Sequence, residues 1–194
     1  VILADDHGIF LQGVTSLFAG MEGFQVIGSA SAGWPALEKI RETRPDIAVI
    51  DAAMPDIGGI EVIERALADE GCRTQFILLT MFTHPQILAD AKAAGARGCI
   101  SKKDASRELR AALKNTADSA AAFFVSESLR PMQHRIETGE IVGLTPRERD
   151  LMKGIADVLT NKEIASELGI SVRTVDAHRG RLMKKIGARN TADI

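Results

Sequence analysis

The sequence predicts an α/β domain with a doubly wound, five-stranded parallel sheet, followed by a small all-α domain. Short apolar stretches alternate with amphipathic stretches through residues 1–118, a pattern typical of a parallel sheet with helices on both faces. Helix-capping residues become dense after residue 143. Residues 1–118 carry 12 basic and 16 acidic side chains, a net charge of −4, whereas residues 145–194 carry 10 basic and 7 acidic, a net of +3. We therefore expect two domains with different partners.

The composition is that of an ordinary globular protein. Of the 194 residues, 45% are hydrophobic and 26% are charged, which are typical values. The longest apolar stretches are strand-sized, far below the roughly 20 residues that span a membrane, and the chain start has no basic signal-peptide segment. Cys72 and Cys99 form no CxxC pair, which argues against a disulfide framework or a zinc site. We expect a soluble, cytoplasmic protein without a membrane partner.

The first domain contains five predicted strands, which are Val1–Ala4, Gln25–Ser29, Ile47–Ile50, Phe76–Leu79 and Gly98–Ile100. Five predicted helices follow them, near Ile9–Ala19, Pro35–Glu42, Ile60–Ala68, Pro85–Ala94 and Ala105–Ala117. Because a helix lies in each connection, we expect parallel strands in the flavodoxin-like order 2-1-3-4-5. Ligands of such sheets bind at the carboxyl ends of the strands.

Residues 119–143 are predicted to form a linker, partly helical at its start. The stretch is polar and contains Pro131 and two glycines, residues that interrupt regular structure. It separates the first domain, residues 1–118, from a helical domain of residues 144–194.

Capping residues mark the helices of the second domain. Thr145–Glu148 and Thr160–Glu163 both have the spacing of a capping box. Gly169 stands where a helix C-terminal glycine belongs, and Ser171 caps the next helix. Two helices joined by so short a turn, the second one basic, indicate a helix-turn-helix. Ile194 falls inside a further helical pattern, so we expect the last helix to be truncated.

Polar side chains stand at the ends of four predicted strands. Asp5 and Asp6 follow the first strand, and Asp51 ends the third. Thr80 follows the fourth strand and Lys102 the fifth. Because strands one and three are neighbours at the switch point, we expect the three carboxylates to lie together, with a hydroxyl and an ammonium on the other side.

This cluster predicts a phosphoryl-transfer site. Three close carboxylates repel one another unless a cation joins them, and Mg²⁺ favours carboxylates, waters and phosphate oxygens. A carboxylate beside Mg²⁺ and a lysine can attack phosphorus. In this hypothesis Asp51 is the nucleophile, while Lys102, Thr80 and the metal stabilise the transferred phosphoryl group.

Longer segments resemble a known family. LADDH, PDIAVIDAAMPDIGGIEV, ILLT and AAGARGCISKKD resemble a CheY-like receiver domain. LTPRERDLM and NKEIASELGISVRTVDAHRGRLMKKIGA resemble the LuxR-type helix-turn-helix. Together they are similar to response regulators of the NarL/FixJ type, over nearly the whole chain.

The resemblance implies a phosphorylation-dependent transcriptional regulator. The implied phosphoacceptor is Asp51, with Thr80 as the switch hydroxyl and Lys102 as the phosphate-binding lysine. The implied Mg²⁺ ligands are Asp5, Asp6, Asp51 and the backbone carbonyl of Ala53. The implied partners are a sensor histidine kinase, double-stranded DNA and, after phosphorylation, a second copy of the chain. The protein would be no enzyme beyond its own phosphorylation and slow autodephosphorylation.

Helical periodicity divides the basic recognition helix into two faces. Counting 100° per residue from Val175 puts His178, Leu182 and Ile186 on the core side. His178 is therefore predicted to be structural or to face phosphate. The predicted DNA-binding residues are Arg173, Thr174, Asp176, Ala177, Gly180, Arg181 and Lys184, with Lys162 on the preceding helix.

Asp176 is the one acid on the predicted DNA-facing side. It either pairs with Arg173 or Arg179, three residues away on each side, or accepts a hydrogen bond from cytosine N4 in the major groove. Both interpretations stay open.

Four positions depart from the family pattern. Cys99 stands where a Tyr or Phe is usual, and Met81 replaces the usual small residue after Thr80. Gly58 replaces a common polar or acidic residue, and Val158 a common glycine. We expect a different repacking on activation and changed phosphotransfer rates.

Other functions compete with this interpretation. Asp5 or Asp56 taken singly would more often cap a helix than bind a metal. A phosphatase with Asp51 as nucleophile would need an acid where Ala53 stands. The helical domain could also be a protein-interaction module, or its basic face could be merely solvated.

Three further side chains have ordinary structural interpretations. His7 is predicted to lie in a loop rather than to be a ligand. Trp34 is predicted to pack at a helix start, unless exposure marks a partner surface. Cys99 is predicted to lie in the core rather than to sense redox state.

Overall fold

The structure, a computed structural model, describes residues 1–82, 84–118, 120–137, 146–156 and 159–186. The chain forms two compact units. The first consists of Val1–Thr83 and Ile87–Gln133, and the second of His84–Gln86 and His134–Ile194. Within the described ranges, no helix combines the length and the apolar character that crossing a membrane requires.

A parallel sheet forms the centre of the first unit, with strand order β2-β1-β3-β4-β5-β6. Its strands are β1 (Ile2–Ala4), β2 (Gly28–Ala30), β3 (Ile47–Asp51), β4 (Gln75–Thr80), β5 (Gly98–Ser101) and β6 (Phe124–Val125). All five neighbouring pairs are parallel. The predicted order 2-1-3-4-5 is therefore confirmed, and a sixth strand extends its edge.

Helices cover both faces of this sheet. They are α1 (Gly8–Phe18), α2 (Gly33–Thr43), α3 (Gly59–Leu67), α4 (Pro85–Ala93) and α5 (Ala105–Ala117). Helix α1 packs against α5, and α2 against α3. On the α1 and α5 side, Val14 and Leu109 join Val49 and Ile77 in one buried cluster. Strand β3 is buried along its whole length, so its last residue, Asp51, is held rigidly in place.

The second strand begins later than predicted. Apolar Val26 and Ile27 favoured a strand over Gln25–Ser29, but β2 covers Gly28–Ala30. Its register on β1 pairs Ile2 with Gly28. A Cβ at Gly28 would lie 2.9 Å from the Cδ1 atom of Ile2, so the absence of a side chain permits this pairing.

The first part of the predicted linker packs on the first unit. It contains β6 and a 3-10 turn over Glu127–Leu129, after which helix α6 (Arg130–Glu137) begins. Asp104, 1% exposed, anchors this segment. Its carboxylate accepts hydrogen bonds from the backbone N–H of Ser128 at 2.9 Å and from the Ser128 hydroxyl at 2.9 Å. The sequence alone gave no signal for this long-range contact.

The second unit packs three helices around an apolar centre. They are α7 (Pro146–Ala156), α8 (Asn161–Leu168) and α9 (Val172–Ile186). The buried cluster is Leu151, Ile155, Ile164, Ala165, Val175 and Leu182. Each helix contributes two of these side chains, which explains why none of the three would be stable alone.

The turn between α8 and α9 contains the predicted helix-capping residues. The capping box of Thr160 and Glu163 is complete, and Gly169 ends α8 with φ 63° in the left-handed region. The hydroxyl of Ser171 accepts the N–H of Thr174 at 3.1 Å and caps α9. Thr145, of the other predicted capping box, and Val158 lie outside the described residues.

Candidate functional site

The sheet brings the predicted phosphoryl-transfer residues to one edge. Asp51 ends β3, and its neighbours in the sheet are β1, which Asp5 follows, and β4, which Thr80 ends. The two carboxylates and the hydroxyl are buried, with exposures of 1% for Asp5, 2% for Asp51 and 0% for Thr80. Three groups far apart in sequence therefore meet because the parallel strands end together.

Lys102 joins the two buried carboxylates. Its Nζ atom lies 2.8 Å from Oδ2 of Asp5 and 2.7 Å from Oδ2 of Asp51. The ammonium also lies 4.9 Å from the ring centroid of Phe10, a cation–π contact. The predicted lysine is thus placed where it can bind an oxygen of any group attached to Asp51.

Burial governs the protonation of this pair. Burial raises the pKa of the Asp51 carboxyl above its ordinary value, assisted by Asp5, although the hydrogen bond from Lys102 opposes the rise. Burial lowers the pKa of Lys102, but hydrogen bonds to Asp5 and Asp51 outweigh it and leave that pKa raised. Lys102 therefore stays charged at neutral pH, with its ammonium beside both buried carboxyl groups.

Asp6 and His7 complete the candidate metal site on its solvent side. Nδ1 of His7 lies 2.7 Å from Oδ1 of Asp6 and 3.3 Å from Oδ1 of Asp5. One ligand atom each from Asp5, Asp6, His7 and Asp51 can be chosen so that all lie within 4.8 Å of one another. Three carboxylates with open solvent on one side suit Mg²⁺, which keeps several waters. The prediction that His7 lies in a loop is confirmed, but its place in this cluster was missed.

The hydroxyl of Thr80 is held by its own loop. Its Oγ1 atom accepts a hydrogen bond of 2.9 Å from the backbone N–H of Phe82. Met81 and Phe82 are exposed by 57% and 54%. The large side chain of Met81 therefore faces solvent at this edge of the sheet.

Two glycines let the loop after Asp51 approach the backbone closely. A Cβ at Gly59 would lie 2.1 Å from the carbonyl oxygen of Asp51, and one at Gly33 would lie 2.1 Å from that of Ile57. Ala53 also donates its backbone N–H to the Asp51 carboxylate. Gly58 precedes α3 with extended backbone and no side-chain cap.

The Asp56 carboxylate caps the start of α2, in agreement with the prediction that this residue caps a helix. Its Oδ1 atom accepts the backbone N–H of Gly33 at 2.8 Å and of Trp34 at 3.3 Å, at the start of α2. The residue itself has φ 69°, a region that Asp tolerates better than most side chains. Asp56 thus ties the loop after Asp51 to α2.

Cys99 follows its predicted placement, whereas Trp34 lies at the predicted helix start but is exposed, the condition that was to mark a partner surface. Trp34 lies in the first turn of α2, 41% exposed, with the guanidinium of Arg65 4.9 Å from its ring centroid. Cys99 is fully buried, and burial raises the pKa of its thiol to about 12. Such a thiol is protonated at neutral pH, which fits a core residue and no redox sensor.

Helix α9 presents part of the predicted DNA-binding face to solvent. Arg173, Asp176, Ala177 and Gly180 are exposed, as is Lys162 on α8. Thr174 is half-buried, and its hydroxyl lies 2.8 Å from that of Ser171. The side chains of Arg181, Lys184 and Ile186 lie outside what the structure describes. On the core side Leu182 is buried as predicted, and His178 is half-buried.

Asp176 has a partner that the sequence did not suggest. Nδ2 of Asn161, the first residue of α8, donates to Oδ1 of Asp176 at 2.5 Å. Oδ1 of Asn161 in turn accepts from Nη1 of Arg179 at 2.5 Å. Asn161 therefore bridges an acid and a base of α9 and couples α8 to α9.

Comparisons with known proteins agree with this architecture. Residues 1–114 match the family model of the response regulator receiver domain. Residues 142–194 match the model of the bacterial regulatory proteins of the luxR family.

Full-length relatives share both parts. The transcriptional regulatory protein UhpA of Escherichia coli (strain K12) is 32% identical over 194 residues, covering 100% of this chain and 94% of UhpA. The DNA-binding transcriptional activator DevR/DosR of Mycobacterium tuberculosis is 32% identical over 193 residues, covering 96% of this chain and 88% of DevR/DosR.

Solved structures of RcsB are also similar. RcsB dimers bound to two parallel DNAs superpose with a TM-score of 0.77 at 25% identity, covering 99% of this chain and 93% of RcsB. RcsB of Salmonella enterica serovar Typhimurium, bound to promoter rprA with the phosphomimetic BeF3⁻, gives a TM-score of 0.76 at 25% identity, covering 99% and 94%.

Proposed function

The chain belongs to the response regulators that join a receiver domain to a LuxR-type DNA-binding domain, and we propose that phosphorylation of Asp51 controls its binding to DNA. It is a transcriptional regulator, as its relatives are. The observation that carries the proposal is the buried Asp51 carboxylate, 2.7 Å from the ammonium of Lys102 and beside Asp5.

The proposed reaction transfers a phosphoryl group from a phosphohistidine to Asp51. A carboxylate oxygen forms the new O–P bond while the P–N bond breaks, and the imidazole of the donor keeps that electron pair. Lys102, already on Oδ2 of Asp51, moves its hydrogen bond to a phosphoryl oxygen. Thr80 turns its hydroxyl from the N–H of Phe82 to the phosphoryl group.

A divalent metal is part of the proposal. Asp5, Asp6, Asp51 and the backbone carbonyl of Ala53 would hold Mg²⁺, and the three carboxylates fit its preference for oxygen. When bound, Mg²⁺ neutralises charge on the transferring phosphoryl oxygens. The protein would catalyse only its own phosphorylation and slow loss of that group, with no turnover of other substrates.

Intact-mass measurement after incubation with phosphoramidate or acetyl phosphate tests the acceptor. One added phosphoryl group is expected with Mg²⁺ and none with a chelator or in Asp51→Asn. Asp46→Asn is the matched control, because Asp46 is an exposed acid just before the same strand. Equal labelling of Asp51→Asn would exclude Asp51 as the acceptor. Turnover of a small phosphoester would instead support the alternative that the protein is a phosphatase.

The second part of the proposal is DNA binding by the helix-turn-helix. We propose that Arg173, Arg181, Lys184 and Lys162 contact phosphates. The base edges in the major groove would face four residues of α9, which are Thr174, Asp176, Ala177 and Gly180. The exposed Arg173 and Lys162 support this, as do the RcsB structures with DNA.

We propose that the chain consists of a receiver domain of residues 1–118, a linker of residues 119–143 and a DNA-binding domain of residues 144–194. The two family matches, to residues 1–114 and 142–194, support it. A sensor histidine kinase would be the phosphodonor. The chain would meet this kinase and its DNA in the cytoplasm.

We also propose that phosphorylation promotes a homodimer. One helix-turn-helix reads few base pairs, so two half-sites about one helical turn apart supply specificity. Light scattering and duplex binding at several salt concentrations, with and without phosphorylation, test both parts. A steep fall of affinity with salt is expected. A salt-independent interaction, or a monomer when fully phosphorylated, would contradict the proposal.

A further inference from the structure

We propose that His7 is a nitrogen ligand of the metal site and gives that site a preference for divalent transition ions such as Mn²⁺ over Mg²⁺. The inference deepens the proposed function, since it rests on the acidic cluster being a divalent metal site. It assigns a role to a residue that the phosphoryl-transfer chemistry itself does not use.

The distances around His7 suit a shared ion. Nδ1 of His7 lies 2.7 Å from Oδ1 of Asp6 and 3.3 Å from Oδ1 of Asp5. Two adjacent ligands of an octahedral ion at about 2.1 Å stand about 3 Å apart. Both distances from Nδ1 are therefore close to those between neighbouring ligands. One ligand atom each from Asp5, Asp6, His7 and Asp51 can be chosen so that all four lie within 4.8 Å of one another.

Asp5 divides its two oxygens between different partners. Its Oδ2 atom lies 2.8 Å from Lys102. Its Oδ1 atom accepts the backbone N–H of His7 at 2.9 Å, which fixes the start of the loop. The imidazole is consequently held on the Oδ1 side, away from the lysine. Its side chain is 67% exposed, so it can adjust its rotamer toward an ion at little cost in packing.

The donor set decides the metal preference. Oxygen ligands alone suit Mg²⁺, which forms weak bonds to imidazole, whereas an added nitrogen stabilises the first-row transition ions, increasingly from Mn²⁺ onward. The contribution of His7 should therefore be nearly absent for Mg²⁺ and measurable for Mn²⁺.

Electron spin-echo envelope modulation of bound Mn²⁺ tests the nitrogen directly. The unphosphorylated full chain should show modulation from a coordinated ¹⁴N, and His7→Ala and His7→Asn should abolish it. The Mn²⁺ affinity of both variants should fall at least about fivefold, while the Mg²⁺ affinity changes less than about twofold. His134→Ala is the control, because His134 is exposed and lies outside the cluster.

Bound Mn²⁺ without nitrogen modulation would overturn the assignment of His7 and leave the proposed function intact. Modulation that persists in His7→Ala, or an equal loss of Mg²⁺ and Mn²⁺ affinity, would also overturn it. If neither metal binds, the acidic cluster is no metal site, and the Mg²⁺ dependence of the proposed function fails as well. Circular dichroism of each variant separates these results from unfolding.

Discussion

The hydroxyl of Thr80 accepts a hydrogen bond of 2.9 Å from the backbone N–H of Phe82. Thr80 is fully buried at the end of β4, whereas Phe82 is 54% exposed. A buried hydroxyl at the candidate phosphorylation site thus holds an exposed aromatic residue two positions away. The Thr80–Phe82 hydrogen bond therefore links the candidate site to the surface at this edge of the sheet.

The first prediction follows from that contact. When Thr80 turns toward a phosphoryl group on Asp51, the amide of Phe82 loses its acceptor and should exchange with solvent between about twofold and tenfold faster, the range for one net hydrogen bond. Hydrogen exchange with and without BeF3⁻ measures this. Thr80→Ala should show fast exchange in both states, and Thr80→Ser should behave as the wild type. An unchanged rate in the wild type would refute the link.

A second prediction concerns the close approach at Gly59. In Gly59→Ala the new Cβ meets the carbonyl oxygen of Asp51 at 2.1 Å, so the loop must move. We expect unfolding to become about 2–3 kcal/mol easier and phosphorylation to fall sharply. Denaturant titration and intact mass are the measurements.

Gly13 provides a matched control for that substitution. It lies exposed within α1 with nothing within 4 Å of an added Cβ. Gly13→Ala should therefore stabilise the protein by about 1 kcal/mol through helix propensity. Equal effects of the two substitutions would show that the contact at Asp51 is unimportant.

The third prediction is a pH dependence at Asp104. Burial raises the pKa of this carboxyl, but hydrogen bonds from Ser128 and Ser126 and from Arg107 outweigh it, and the pKa is lowered. Asp104 therefore stabilises the fold above its unfolded-state pKa of about 3.9. That stability is lost as the pH falls through the lower folded-state pKa.

Asp104→Asn should accordingly cost about 2 kcal/mol at pH 7, the range for hydrogen bonds to a charged group. The difference from the wild type should close at strongly acidic pH. Denaturant titrations across pH measure it, with the exposed Asp118→Asn as control. A constant difference at every pH would mean that the charge of Asp104 is irrelevant.

The fourth prediction separates two roles of Asp176. Its bond to Asn161 predicts that Asp176→Ala and Asn161→Ala each lower stability by about 1 kcal/mol and that their effects are not additive. Thermal unfolding of the two single variants and the double variant measures this coupling. Additive losses would show that the contact contributes nothing.

Operator variants test whether Asp176 also reads a base. If it accepts a hydrogen bond from cytosine N4, Asp176→Ala should remove about 1–3 kcal/mol of discrimination at one base pair per half-site. Nonspecific binding should stay equal or tighten, because an acid near phosphates is removed. A uniform change across all single-base variants would limit Asp176 to the contact with Asn161.

Much of the site could be predicted from local patterns. The alternation of strands and helices placed Asp5, Asp51, Thr80 and Lys102 at strand ends, and the parallel order then required them to meet. The capping box at Thr160 was predictable for the same reason, since it depends on residues within one turn.

Contacts between distant segments could not be predicted in this way. The start of β2 depends on a pairing between Ile2 and Gly28, and apolar Ile27 misled the strand prediction. The two hydrogen bonds that Ser128 donates to Asp104 and the bond between Asn161 and Asp176 join residues more than ten positions apart, which no short-range pattern encodes.

The amino-acid sequence by itself predicted two domains, the alternation of strands and helices and the acidic residues at the strand ends, because periodicity, capping and strand-end chemistry act over a few residues. Only the tertiary structure decided that His7 faces the carboxylates, that Phe82 holds the hydroxyl of Thr80 and that Asn161 bridges α8 and α9. Those contacts depend on side-chain rotamers and on how whole elements pack, and packing is a property of the folded chain.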